Sequence, residues 1–141
     1  MGDPSKLRKK YSKPNHPWQK LRIEEEKVLL KEYGMKNKTE LWRLNSELSN
    51  FKNQLKELIP RKDEQAQKEK KQLMEKLFRY KLIKENAIPE DILAITLKDY
   101  CERRLQTLVF RKGLARTIKQ ARQLIVHKHI AIGNKKITSP S

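Results

Sequence analysis

Cysteine occurs once in this chain, as Cys101, so neither a disulfide framework nor a cysteine-rich zinc site can be built from it. Glycine occurs four times and never in a group, which excludes a glycine-rich loop cradling phosphates. Long apolar runs are missing: the longest is Ile92-Leu93-Ala94-Ile95, whereas a membrane-spanning helix needs about 20 apolar residues. The stretch from Met1 to Lys6 has no apolar segment of the kind a secretory signal carries, so no such leader is expected. The most informative absence comes after Glu102, because no Asp or Glu follows it.

What is present is positive charge. The 141 residues hold 34 Lys and Arg against 17 Asp and Glu, a net charge of +17. A chain this polar buries a modest core, and its self-repulsion favours a polyanionic partner. The excess is uneven. Arg103, Arg104, Arg111, Lys112, Arg116, Lys119, Arg122, Lys128, Lys135 and Lys136 lie in the acid-free C-terminal segment. A solvated helix face usually mixes both signs, so this segment reads as a phosphate-facing surface. A second cluster, Lys6, Arg8, Lys9, Lys10, Lys13 and Lys20, stands against Asp3 alone. The middle is nearly balanced and reads as ordinary solvated helix faces.

Residues 1–17 contain Pro4, Pro14 and Pro17 and predict an extended basic arm without its own core. A helix is expected from about Trp18 to Tyr33, ended by Gly34. Asn37 or Thr39 can cap a second, reaching about Ile59, with Leu41, Leu44, Leu48, Phe51, Leu55 and Leu58 forming a heptad-like seam before Pro60. A third is expected from about Asp63 to Leu82, with Leu73, Met74, Leu77, Phe78 and Tyr80 read as core. These predict a packed antiparallel group. Ile88-Pro89-Glu90-Asp91 suggests a short helix with proline in its first turn.

Thr96 and Asp99 have the spacing of a capping box and open a helix expected to run from about Leu97 to Lys112. At about 100° per residue, Leu97, Cys101, Leu105 and Leu108 share one arc of that helix, and Arg104 and Arg111 share an edge. Cys101 is thus expected as a buried small hydrophobe. Thr117 caps the next helix, to about His127, and its faces separate. Ile118, Ala121, Leu124 and Ile125 are apolar, whereas Arg116, Lys119, Gln120, Gln123 and His127 form a stripe of donors suited to phosphate, ribose or base edges. Its start, beside Arg116 and no carboxylate, offers amides to an anion. Ile130-Ala131-Ile132, Gly133-Asn134 and Lys135-Lys136-Ile137 predict a hairpin with both lysines exposed.

Catalytic and metal chemistry is not indicated. His127 and His129 lack a third ligand nearby in sequence, so no metal is assigned. Cys101 on an apolar helix face does not suit a nucleophile, and Glu24-Glu25-Glu26 reads as a solvated run. No cofactor is implied.

The run from Glu102 to His127 resembles the S-four RNA-binding domain found in the S-four family of small-subunit ribosomal proteins. Asp3-Pro4, Lys9-Lys10-Tyr11, His16-Pro17-Trp18, the run Tyr33 to Lys38, and Glu40-Leu41-Trp42 resemble the archaeal form of that family. The resemblance implies a mainly α protein with a small α+β module: an N-terminal helical region, then two helices and a short β-hairpin. It divides the chain into an arm (1–17), a helical domain (18–95) and an RNA-binding domain (96–141). It implies a structural component of the small ribosomal subunit, cytoplasmic and not an enzyme. Such a protein binds ribosomal RNA early in assembly, beside neighbouring ribosomal proteins and near where mRNA enters, without contact to a membrane. On that match Arg103, Arg104, Arg111, Lys112, Arg116, Thr117, Lys119, Gln120, Arg122, Gln123, His127 and His129 fall on the RNA-facing motif, joined by Lys128, Lys135, Lys136 and the basic arm.

Two departures stand out. His127-Lys128-His129 replaces the family's His-Gly-His, and Ile132-Gly133-Asn134 replaces Val-Asn-Gly. The chain ends at Ser141, where relatives usually continue with strand residues; either the form is naturally short or it is truncated, and a missing strand leaves an open sheet edge. Two rival readings are a fragment of an RNA-modifying enzyme that uses the same domain, and a coiled-coil interaction protein built on the seam from Leu41 to Leu58.

Overall fold

The computed structural model describes residues 9–84 and 87–141. Among these residues seven helices and one hairpin follow in order: α1 (Lys20–Glu32), α2 (Lys38–Leu58), α3 (Glu64–Arg79), α4 (Asp91–Ala94), α5 (Leu97–Glu102), α6 (Leu105–Arg111), α7 (Ile118–Val126), β1 (Ala131–Ile132) and β2 (Lys135–Lys136). The described chain is mainly helical with a small C-terminal α+β module, as the sequence predicts. No described helix is long and apolar enough to cross a membrane.

Helix α2 is the axis of the helical region, and its seam determines the packing. Leu41 and Leu44 join Tyr33, Met35 and Cys101 in one apolar cluster. Leu48, Phe51 and Leu55 join Leu73, Leu77, Ile92 and Ile95 in another. All six seam residues are buried within the same chain, which leaves the coiled-coil reading no seam to offer a partner. Leu55 and Leu77 are fully buried; truncating either to Ala costs about 2–5 kcal/mol. Phe78 and Tyr80, expected in the core, are instead nearly half exposed, at 46% and 43%. They flank the end of α3, where the packed stripe has already stopped at Leu77.

Helix termini follow local chemistry. The Thr96 hydroxyl accepts from the Asp99 amide, and Asp99 accepts from the Thr96 amide at 2.9 Å, completing the expected capping box. Helix α1 starts at Lys20 rather than Trp18 because the Pro17-Trp18 turn precedes it. Its end wraps through Gly34, with the Met35 amide donating to the Leu30 carbonyl at 3.1 Å. Gly34 is left-handed, with φ +57, and is closely approached: a Cβ there would lie 2.7 Å from Ile118 Cγ2 and 2.8 Å from Gln106 Nε2.

The single helix expected from Leu97 to Lys112 is two. Arg104 takes an extended conformation, ψ 140, between α5 and α6. The Thr107 hydroxyl donates to the Cys101 carbonyl across the break at 2.9 Å. The shared arc therefore divides. Cys101 packs with the helical region, whereas Val109, Ala115, Ala121 and Ile125 form the core of the last module, with Leu105 against it. Arg104 and Arg111 no longer share an edge. Gln106, fully buried, joins the pieces: its side-chain amide donates to the carbonyls of Gly34 (3.0 Å) and Ile118 (2.9 Å), and its backbone amide donates to Pro140 (3.1 Å).

The hairpin pairs Ala131 with Lys136 and Ile132 with Lys135. Gly133 has φ +60 while Asn134 does not take a positive φ, the sign pattern of a II′ turn. Exchange of the family's Asn-Gly for Gly-Asn thus keeps the hairpin with a different turn.

Candidate nucleic-acid interface

Helix α7 presents the expected stripe. Arg116, Lys119, Gln120, Gln123 and His127 are all exposed, while Ala121 and Ile125 are buried and Ile118 and Leu124 half-buried. Its N-terminus is more occupied than the sequence suggests. The Thr117 hydroxyl accepts from the Gln120 amide (3.2 Å), and Gln120 Oε1 accepts from the Arg116 amide (2.8 Å). The amides of Ile118 and Lys119, first in the helix, have no intrahelical acceptor and remain for an anion.

The helix closes with the Lys128 amide donating to the Ile125 carbonyl (3.0 Å) and the His129 amide to the Leu124 carbonyl (2.9 Å). This wrap requires a left-handed residue, and Lys128 supplies it with φ +63. That is where the family's His-Gly-His has glycine. The wrap holds exposed His127 and His129 on adjacent sides of the chain, with ring centroids 6.4 Å apart. Lys135 and Lys136 are exposed on the hairpin.

The acid-free module borrows its acids from elsewhere. Glu40 of α2 receives Arg122 at 2.7 and 3.1 Å and Arg104 at 3.0 Å. Arg104, expected to face RNA, is instead 5% exposed and points inward. Burial pushes the Glu40 carboxyl pKa up, but the bonds from Arg122 and Arg104 outweigh it and hold the group below its ordinary range. Glu102 receives Arg111 at 2.8 Å and the Tyr33 hydroxyl at 3.2 Å, and the Arg111 bond lowers its carboxyl pKa. Arg103 Nε donates to the Tyr80 carbonyl. Lys112, Arg116, Lys119, Lys128, Lys135 and Lys136 are exposed and form no ion pair among the described residues.

Sequence reasoning missed two cations. Lys31 and Lys36, at the end of α1 and in the loop after it, line an open cleft of about 520 Å³ with Lys119 and Arg122. Both lie in the charge-balanced middle, where no local signal distinguishes them from solvated lysines. Burial pushes the Cys101 thiol up to about 11, which keeps it protonated near neutrality.

The basic arm is tethered where it is described. Tyr11 lies against Trp42 at 6.4 Å between ring centroids, with the Arg43 guanidinium 5.8 Å from the Tyr11 ring. The Ser12 amide donates to Ser46 Oγ at 3.0 Å. Lys9, Lys10 and Lys13 remain exposed; Lys6 and Arg8 lie outside the described residues. Trp42 Nε1 in turn donates to Glu26 at 3.0 Å. Glu26, expected in a solvated run, is buried among Trp42, Lys38 and Arg22 because it faces α2, while Glu24 and Glu25 stay exposed.

A family model described as the S4 domain matches residues 103–141. The chain is 49% identical over 141 residues to the small ribosomal subunit protein uS4 of Sulfurisphaera tokodaii, covering 99% of this chain and 80% of that protein. It is 51% identical over 142 residues to the uS4 protein of Methanococcus aeolicus, covering 100% and 80%. It is 47% identical over 143 residues to that of Thermoplasma acidophilum, covering 99% and 72%.

Proposed function

Because the chain belongs to the uS4 family of small ribosomal subunit proteins, we propose that it is a structural, non-catalytic component of the cytoplasmic small ribosomal subunit that binds ribosomal RNA directly. The observation that carries this reading is the surface of the last module. The exposed donor stripe on α7, with Arg116 and Lys119 in it, adjoins four more exposed cations, Lys112, Lys128, Lys135 and Lys136, all six without an ion pair among the described residues, while Glu40 neutralises the inward-turned Arg104 and the half-buried Arg122. Phosphates and 2′-hydroxyls of a folded RNA junction suit such a surface better than a base code does.

The proposed organisation is an arm (1–17), a helical domain (18–95) and an RNA-binding domain (96–141) entered through α5. The arm, from Lys6 to Lys13, reaches adjacent RNA. Lys31 and Lys36 extend the basic surface across the boundary. Early binding that nucleates assembly, proximity to the path by which mRNA enters, and contact with neighbouring small-subunit proteins belong to the same proposal.

The test is a salt titration of binding to a small-subunit ribosomal RNA transcript. With about six phosphate contacts, affinity falls by roughly three orders of magnitude between 50 and 200 mM monovalent salt. A flat titration overturns the reading.

A further inference from the structure

One helix of this basic protein carries a surface of the opposite kind. On the outward face of α1, Leu21 and Val28 are one heptad apart, as are Glu25 and Glu32, and Glu24 lies beside them on the same arc. Leu21 is 70% exposed and Val28 62% exposed, and Trp18, just before the helix, is 89% exposed. Glu24, Glu25 and Glu32 are exposed and form no ion pair among the described residues. The inner face of α1 is already satisfied by Leu29, Leu30 and Tyr33 against α2 and α5. The helix therefore has a second apolar stripe that the fold does not use.

The stripe is held in place. Arg22 donates to the carbonyls of His16 (2.9 Å) and Pro17 (3.0 Å), fixing the turn that projects Trp18. An exposed indole carried on a held turn just before a helix with two exposed aliphatic side chains is the kind of anchor that dominates protein interfaces. The acids decide the partner. Phosphate, whether of RNA or of a lipid headgroup, is repelled by three carboxylates, whereas a Lys- and Arg-rich protein segment is attracted by them.

We infer that the Trp18–Leu21–Val28 face of α1, edged by Glu24, Glu25 and Glu32, docks a basic segment of another protein in the assembled particle. The inference rests on the proposed ribosomal role. It names a surface distinct from the RNA-binding one: the partner's apolar side chains cover Trp18, Leu21 and Val28, and its lysines or arginines pair with the three carboxylates.

The experiment places the photocrosslinker p-benzoylphenylalanine at Leu21 or, separately, Val28 of the full chain, assembled into small subunits in its host cells. Adducts are identified by mass spectrometry. The expected adduct is a peptide of a different ribosomal protein, rich in Lys and Arg around the crosslink. Its yield is expected to fall at least tenfold when Glu24→Lys, Glu25→Lys and Glu32→Lys are combined. Nucleotide adducts, adducts to a second copy of this chain, an acidic peptide, or no adduct above the unirradiated control overturns the inference. Binding of the same variants to the ribosomal RNA transcript is measured alongside. Its loss in the unmodified chain refutes the ribosomal role, whereas retained RNA binding without the basic protein adduct refutes this surface alone.

Discussion

Replacing Glu40 by Ala should destabilise the fold far more than a surface acid would. Among the described residues, Glu40 is the one carboxylate that both Arg104 and Arg122 reach. Arg122 is partly exposed, so water recovers much of its solvation when the carboxylate is removed. Arg104 has no such recourse: its side chain is 4% exposed, and its Nε and Nη1 meet no acceptor among the described residues. Removing one partner of a buried pair costs about 3–5 kcal/mol because a charge is left uncompensated. With half the site partly open, the lower end, about 3 kcal/mol, is expected. Glu40→Gln keeps an acceptor but loses the charge, and should cost about half as much. Adding Arg104→Met to Glu40→Ala should recover most of the loss, because the stranded charge is gone. Urea unfolding followed by far-UV circular dichroism measures all three. A Glu40→Ala loss under about 0.5 kcal/mol, or a double variant no better than the single, would refute the reasoning. The pH dependence has a definite sign. The Glu40 pKa is lowered in the folded state, so its contribution is complete above the unfolded value, about 4.3, and is lost as pH falls through the lower folded value. Glu40→Ala should flatten that acid limb.

Gly34→Ala should lower stability by about 1–3 kcal/mol, through a left-handed backbone and an approach to Ile118 and Gln106 that admits no Cβ; an unchanged urea midpoint would contradict the close contact. Lys128→Gly should raise stability by up to about 1 kcal/mol by relieving the left-handed lysine at the end of α7. Thermal unfolding checks it, and a lower Tm would mean that Lys128 makes a compensating contact.

Much of the architecture was legible because it is local. The α2 seam, the Thr96–Asp99 box, the two faces of α7 and the hairpin each depend on spacing within one element, and each has a counterpart in the structure. What was not legible depends on partners far along the chain. Nothing near Arg104 marks the break between α5 and α6, since apolar spacing continues across it. The break accompanies an ion pair to Glu40, 64 residues earlier, and Gln106 reaches back 72 residues to Gly34. An arginine in an acid-free segment looks RNA-facing until its distant carboxylate is known. Lys31 and Lys36 were missed for the same reason, because only the tertiary fold brings them beside Lys119 and Arg122.

The exposed face of α7 is proposed to hold ribosomal RNA while its inner face holds the fold. The most direct test combines Lys119→Ala with Gln123→Ala and measures affinity for the small-subunit ribosomal RNA transcript alongside thermal unfolding. An affinity loss of about tenfold, a salt slope shallower by nearly one contact, and an unchanged Tm are expected. Unchanged affinity, or a loss explained by unfolding, would contradict it.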